Sequence, residues 1–214
     1  MRTSRWVIAS MLLHCLAAPA SAQMTDNVVD LMKRSGFGAT IGVVAATDSD
    51  VDVGVAVGVQ FGLAPKAGFG FTVGFGWFGA DLLLDSQGFD GTVGSVDIRP
   101  LMAGLSYTWV RGRLATSVAI NAGVSFNSAD VNDEFRALFG PGATVELDMK
   151  DSIAVRPSVE VEYEITPKFA ITGWGGYLWT KIDSSLTTPV GRFEDEWNAS
   201  SFLATVGVMV YPFR

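Results

Sequence analysis

Histidine and cysteine are nearly absent from this chain. Its 214 residues include one histidine, His14, and one cysteine, Cys15, and both lie in an N-terminal stretch with the features of an export signal. A chain with no further cysteine cannot be held together by internal disulfide bonds. A basic cluster is also lacking, with 15 Lys and Arg against 22 Asp and Glu, so the sequence offers no electrostatic footprint for nucleic acid.

Long apolar runs are also scarce, and the longest is at the N-terminus. Two arginines precede an apolar stretch over residues 6–18, and an A-x-A motif ends at Ala22. The stretch is shorter than the roughly 20 residues that a membrane-spanning helix needs. We therefore predict that residues 1–22 are a cleaved secretory signal and that the mature chain begins at Gln23, with 13 basic against 22 acidic residues and a formal charge of −9.

In place of long apolar runs, the chain has strand-like alternation. Over residues 51–63, Val, Phe and Leu occupy one parity, while Gly, Ala, Asp and Gln occupy the other, and residues 68–77 repeat the pattern. Successive side chains of a strand point to opposite faces. A soluble half-buried sheet would carry Lys, Glu and Arg on its exposed face, and these segments carry almost none. An outward apolar band around a lumen of small and polar residues is typical of a transmembrane β-barrel.

The alternating segments predict eight strands with two kinds of connection. Tight turns of turn-forming residues are expected at Ala64-Pro65-Lys66, Arg111-Gly112 and Thr166-Pro167. Short turns at one end and longer loops at the other are typical of transmembrane barrels. The predicted strands cover residues 36–46, 51–63, 67–79, 97–110, 113–128, 144–165, 168–181 and 199–213, with a short first loop at 47–50 and longer loops at 80–96, 129–143 and 182–198.

Aromatic residues are predicted to cluster at two heights of this barrel. Rings with one wet edge and an apolar body favour the headgroup level of a bilayer. The predicted girdles contain Trp109, Tyr163, Phe169, Tyr211 and Phe213 near the short turns, and Trp77, Tyr177, Trp179 and Trp197 near the long loops.

Two segments depart from simple alternation. Residues 168–181 carry large apolar side chains on both parities, for example Ile171 and Trp174, which predicts a bulge near Gly175-Gly176. Residues 24–35 have helical spacing, which predicts a short helix at the periplasmic mouth or inside the lumen.

Together, the signal, the eight alternating strands, the tight turns and the aromatic last strand resemble the small outer-membrane β-barrel family, the OmpA-type transmembrane domain and its relatives. The resemblance covers residues 36–214. Residues 201–213 resemble the strand that the barrel-assembly machinery reads in this family, although Arg214 follows the aromatic that usually ends such chains. The peptidoglycan-binding domain of OmpA-type proteins is missing, so we expect no wall anchoring.

The resemblance implies an all-β fold, an eight-stranded antiparallel up-and-down transmembrane β-barrel, which we expect to carry a short N-terminal helix. The expected organisation is a signal at residues 1–22, a periplasmic or lumen-associated segment at 23–35, and the barrel at 36–214. The expected location is the cell outer membrane, in contact with lipid including lipopolysaccharide.

Charged residues of the predicted lumen concentrate on the sixth strand. An eight-stranded barrel is only just wide enough for its side chains, and neighbouring carboxylates repel one another unless paired. We therefore expect Arg113 to pair with Glu164 and Arg156 to pair with Glu160. The predicted lumen network comprises Gln60, Arg113, Asn121, Arg156, Glu160, Glu162 and Glu164.

Catalysis is disfavoured by what the mature chain lacks. The enzymes among the resembling barrels depend on an active-site histidine, and without His or Cys an activated serine would need a lysine or carboxylate partner. Lys150, Asp151 and Ser152 are adjacent, but neighbours on a strand face opposite ways. The D-x-D-x-D run from Asp48 to Asp52 lacks the Gly and Glu of a calcium loop. We predict no enzymatic activity, no cofactor and no specific metal site.

Three interpretations of function stay open at this point. The sequence favours an integral outer-membrane barrel with a structural or surface-interaction role, whose lumen is a static polar network. The alternative is a narrow cation-preferring channel past the lumen glutamates, favoured by the glycine-rich inward parity of the second and third strands. A soluble lipocalin-like barrel would require the Val and Phe parity to point inward.

Overall fold

The computed structural model describes residues 35–48, 50–63, 67–86, 89–140 and 142–214. The predicted signal, the predicted helix up to residue 34 and the turn at 64–66 lie outside the described residues. Ser35, which was assigned to that helix, begins the first strand instead. Within the described ranges, no helix is long and apolar enough to cross a membrane.

Eight antiparallel strands close into a barrel. The barrel strands are β1 (Ser35–Ala46), β2 (Gly54–Leu63), β3 (Gly68–Ser86), β4 (Phe89–Arg111), β5 (Leu114–Val131), β7 (Ser152–Thr166), β8 (Phe169–Thr180) and β11 (Ser201–Val210). Their order around the barrel is β1-β11-β8-β7-β5-β4-β3-β2, so each strand pairs with its two neighbours and the last closes on the first. This confirms the predicted eight-stranded antiparallel fold.

The apolar parity of the strands points outward. Phe69 is 75% exposed, Ile120 59% and Val206 63%, while polar side chains of the opposite parity, such as Thr172 and Thr205, are buried. The lipocalin-like interpretation is therefore wrong, because it requires the Val and Phe face to line the interior. Most of the predicted girdle residues also face outward, but Tyr211 is buried and Trp197 packs against an apolar cluster.

The long-loop end is more ordered than the sequence predicted. The predicted loop at 80–96 is a continuation of β3 and β4, whose pairing extends from Gly68↔Thr108 to Ser86↔Phe89 with a register shift at Leu82/Leu83. Cross-strand pairing of Ala80 with Val96 and of Leu82 with Gly94 carries the ladder through the region.

A second, smaller sheet extends beyond this end. It contains β6 (Glu146–Met149), β9 (Ile182–Thr188) and β10 (Gly191–Trp197) in the order β10-β9-β6, and a short helix, α1 (Asp133–Ala137), precedes it. The predicted continuous strand at 144–165 is therefore two strands, β6 and β7, in two different sheets. An apolar cluster around Val131, Phe135 and Val145 packs beneath the small sheet.

The predicted bulge near Gly175-Gly176 is wrong. The register of β8 with β7 is the same on both sides of Gly175-Gly176, at Ala154↔Thr180 and at Glu164↔Ala170, although Arg156 and Pro157 are not paired with β8. The parity does not switch, because Trp174 and Leu178 face the interior along the whole strand, Leu178 being fully buried.

The apolar exterior predicts a strong penalty for charge on the outer wall. Val59→Arg places a guanidinium where Val59, 57% exposed, faces outward, and an arginine on the lipid face of a barrel costs about 2–4 kcal/mol near the midplane. Val190→Arg, at a 79% exposed position between β9 and β10, is the matched control and should change stability by less than about 0.5 kcal/mol. Denaturant unfolding in phospholipid vesicles measures both, and equal losses would contradict the outward assignment.

Candidate functional site in the barrel lumen

Strand β7 carries the acidic side of the lumen. Arg156, Glu160, Glu162 and Glu164 share its inward parity, because the alternating Val159, Val161 and Tyr163 are exposed on the outer wall. Gln60 faces them from β2, and Asn121 is buried on β5. Arg113 lies exposed in the turn between β4 and β5, where it borders the cavity at the short-turn end of the lumen.

Glu160 is held by two neutral donors. The Gln60 side-chain amide donates to Glu160 Oε1 at 3.0 Å, and the Thr172 hydroxyl donates to the same oxygen at 2.6 Å. These bonds connect β2, β7 and β8 across the interior. Hydrogen bonds to an ionised carboxylate are stronger than neutral ones, so this group is a cross-link of the barrel wall.

Glu162 and Glu164 are held from the end of β11. The Tyr211 hydroxyl donates to Glu162, and the Arg214 guanidinium forms an ion pair with Glu164 at 3.4 Å. The same guanidinium lies over the Tyr211 ring, 3.9 Å from its centroid, in a cation–π contact. The segment after β11 therefore packs into the short-turn end of the lumen.

Asn121 takes part in a separate polar contact. The Thr72 hydroxyl on β3 donates to Asn121 Oδ1 at 2.7 Å. The Thr108 and Ser117 hydroxyls share a 2.8 Å hydrogen bond between β4 and β5. Side-chain hydrogen bonds therefore connect β3 and β4 to β5 in the short-turn half of the barrel interior.

The two predicted ion pairs do not form. Glu164 is paired with Arg214, and its contact with Arg113 is a backbone one, in which the Glu164 N–H donates to the Arg113 carbonyl at 2.9 Å. Arg156 lies over the Trp174 ring, 4.5 Å from its centroid, and forms no ion pair with Glu160. Glu160 is instead bound by the neutral amide and hydroxyl described above.

Four lumen residues were missed from the sequence. Tyr211 and Arg214 follow the last strand, and Tyr211 was assigned to an outward girdle although it shares the parity of the inward Thr205 and Met209. That parity was the signal available in the sequence. Thr172 and Trp174 alternate with exposed Ile171 on β8, where the expected bulge obscured their inward direction.

The long-loop half of the lumen combines an apolar cluster with buried polar side chains, among them Thr180, which shares a 2.8 Å hydrogen bond with Ser152. Phe78, Ile98, Met102, Leu178 and Leu203 are buried there, and Trp174 and Trp197 pack against them. Burial of each such side chain stabilises the fold by about 1.5–3 kcal/mol relative to exposure. The lumen is therefore mainly polar near the short turns and contains a large apolar cluster near the long loops.

Three cavities lie along the described lumen. A vestibule of about 90 Å³ lies near the short turns, a middle cavity of about 20 Å³ lies beside Arg156, and an upper cavity of about 20 Å³ lies among the long-loop residues. Gln60 is the side chain that borders both the vestibule and the middle cavity, and Phe78 borders both the middle and the upper cavity. Gln60 and Phe78 therefore lie between neighbouring cavities of the interior.

The acidic residues do not form a metal centre. Within the part of the chain that the structure describes, no three His, Cys, Asp or Glu side chains are arranged to hold a metal ion. The arrangement of donors and acceptors provides cross-links and a charged vestibule, with the carboxylates Glu160, Glu162 and Glu164 on one wall.

Comparison with known proteins gives structural neighbours only. No protein-family model matches the chain, and no curated protein matches it. Solved structures do match: outer membrane protein OprG from Pseudomonas aeruginosa has a TM-score of 0.65 at 13% identity, covering 82% of this chain and 92% of that one.

Two further structures have the same architecture at lower similarity. Neisserial surface protein A has a TM-score of 0.50 at 15% identity and covers 83% of this chain and 95% of its own length. A major outer membrane protein from Thermus thermophilus has a TM-score of 0.52 at 13% identity and covers 82% and 98%. At these identities the likeness establishes the fold alone. The fold of this chain is that of the small outer-membrane β-barrels.

The Tyr211–Glu162 contact predicts a difference between two tyrosines. Tyr211→Phe removes the donor to Glu162 and leaves a carboxylate in the lumen without that partner, which costs about 1–3 kcal/mol of folding free energy. Tyr163→Phe is the matched control, because the Tyr163 side chain is 51% exposed on the outer wall. This control should lower the folding free energy by less than about 0.5 kcal/mol. Denaturant unfolding in vesicles measures the two losses. A loss for Tyr211→Phe no larger than that of the control would refute the role of this contact.

Proposed function

We propose that this chain is an integral outer-membrane barrel with a closed lumen and a structural or surface-interaction role. The closed antiparallel barrel pairs its strands without a free sheet edge, which is what a strand-based membrane protein requires. The outward apolar parity supports lipid contact, and the predicted export signal supports the route to the outer membrane. The proposal assigns no catalytic step to the chain.

The observation that carries this proposal is the division of the lumen. The Gln60–Glu160 hydrogen bond at 3.0 Å separates the vestibule from the middle cavity, and the buried Phe78 ring separates the middle from the upper cavity. A solute crossing the barrel would have to break the Gln60–Glu160 hydrogen bond and displace the Phe78 ring. A closed interior favours a function carried out at the surfaces of the barrel.

The small sheet is the surface we assign to interaction. Its outer strand β10 is exposed along most of its length, with Phe193 58% exposed, and Val190 in the adjoining turn is 79% exposed. The base of β10 is fixed to the barrel, because the Trp197 indole N–H donates to Asp48 at 3.2 Å. A sheet that is rigidly attached and exposed is suited to contact with other molecules at the cell surface.

Two further partners are part of the proposal. Lipid, including lipopolysaccharide, would contact the outward apolar wall. The barrel-assembly machinery would read the last strand, β11, whose outward residues Phe202, Val206 and Val210 are exposed. Both follow from the apolar exterior and from the resemblance to small outer-membrane barrels.

The closed lumen predicts absence of conduction in the native protein. Refolded in planar bilayers, the wild-type chain should give no discrete, reproducible current steps. The double variant Gln60→Ala, Phe78→Ala removes both partitions and should give measurable steps, whereas Phe193→Ala, an exposed phenylalanine of the small sheet, should not. Discrete steps from a correctly folded wild-type barrel would refute the closed-lumen proposal.

The alternative function is a narrow cation-preferring path. The observation that favours it is the vestibule, whose wall carries Glu160, Glu162 and Glu164. If the wild type conducts, Glu162→Gln should lower its preference for cations. Unchanged selectivity in that variant would exclude Glu162 from the path.

A further inference from the structure

Arg156 is an arginine of the lumen on which Glu160 acts through its charge, without a close ion-pair contact. Its Nε atom is buried and has no hydrogen-bond partner, and no carboxylate of the described residues forms an ion pair with it. Its guanidinium lies over the Trp174 ring at 4.5 Å. A cation–π contact compensates only part of the cost of removing a guanidinium from water. The group therefore has capacity left for an acceptor.

Thr205 presents a second unsatisfied group in the same region. Its side chain is 5% exposed, and its Oγ1 atom is buried without a hydrogen-bond partner. On the adjacent strand it pairs with Trp174, the residue on which Arg156 stacks. Buried hydroxyl groups in proteins nearly always have a partner, so the hydroxyl of Thr205 is available as a donor.

Both groups border the middle cavity. Its volume of about 20 Å³ exceeds the roughly 10–15 Å³ that admits one water-sized sphere, and it is too small for a phosphate or a carboxylate group. Gly58 forms part of its wall, where an added Cβ would approach Thr40 Oγ1 to 3.3 Å.

We propose that the middle cavity binds one halide ion, with chloride as the natural occupant, between the Arg156 guanidinium and the Thr205 hydroxyl.

The charges around the cavity favour an anion there. Arg156 is the one charged side chain that lines it, and the others among its polar side chains, Thr40, Gln60 and Thr205, are neutral. Glu160 is the nearest acid on the same strand, but its Oε1 is bound by Gln60 and Thr172, on the vestibule side of the Gln60 partition. A halide would accept hydrogen bonds from groups that otherwise have no acceptor.

Bromide diffraction locates such an ion directly. Crystals of the full chain grown with sodium bromide in place of sodium chloride should show an anomalous peak within hydrogen-bonding distance of the Arg156 guanidinium and Thr205 Oγ1. A peak there supports the proposal. Density without anomalous signal at that point would identify a water molecule and overturn it.

Thermal unfolding in detergent provides an independent test. At fixed ionic strength, replacing gluconate by chloride should raise the midpoint by about 2–4 °C at a chloride concentration about five times the dissociation constant. Arg156→Met should abolish this response, and Thr205→Val should weaken it several-fold. Arg113→Met is the matched control, because Arg113 is an exposed arginine outside the middle cavity, and it should keep the full response.

A steric variant covers the case in which Arg156→Met does not fold. Gly58→Ala keeps every charge but places a methyl group in the cavity wall, so it should remove both the chloride response and the bromide peak. An undiminished response in Gly58→Ala, or an equal response in Arg156→Met and the wild type, would overturn the proposal.

Discussion

The pairing of β1 with β11 is the contact on which the rest of the structure depends. Ten residue pairs, from Phe37↔Val210 to Ala46↔Ser201, join the first strand to the last and leave the barrel without a free edge. In a bilayer no water is available to satisfy unpaired backbone groups. Closure also gives every strand an inside and an outside, so that the two-residue period of the sequence becomes a separation of apolar wall from polar lumen.

Closure with only eight strands determines the interior. The lumen is so narrow that side chains fill it. Glycines of β2 and β3 border the same cavity as Trp174, and Gly62 lies opposite Met209. Hydrogen bonds connect several strands in the short-turn half, and the long-loop half contains an apolar cluster beside buried polar side chains such as Thr180. The same filling that stabilises the barrel narrows its interior, which supports the surface role that we propose.

The sequence predicted the parts that depend on parity, and failed where tertiary contacts decide. Strand number, outward Val and Phe, and inward Gln60, Asn121 and the three glutamates follow from a period of two. The partners of the glutamates do not follow from this period, because Arg214, which pairs with Glu164, lies beyond the last strand, where strand alternation gives no side-chain direction. The small sheet was also missed, since β9 and β10 contain few large apolar residues and β9 packs through Leu186 against the cluster around Phe135.

The central claim is that the polar parity lines the interior of the barrel and the apolar parity meets lipid. Spin labels at single cysteines along residues 158–165 of β7, in a chain with Cys15→Ser, test it most directly. In phospholipid vesicles, accessibility to oxygen, which partitions into lipid, should peak at the odd-numbered positions such as Val159 and Val161. The even-numbered positions should be poorly accessible to it. Accessibility to oxygen that does not alternate, or that peaks at Glu160 and Glu162, would contradict the account.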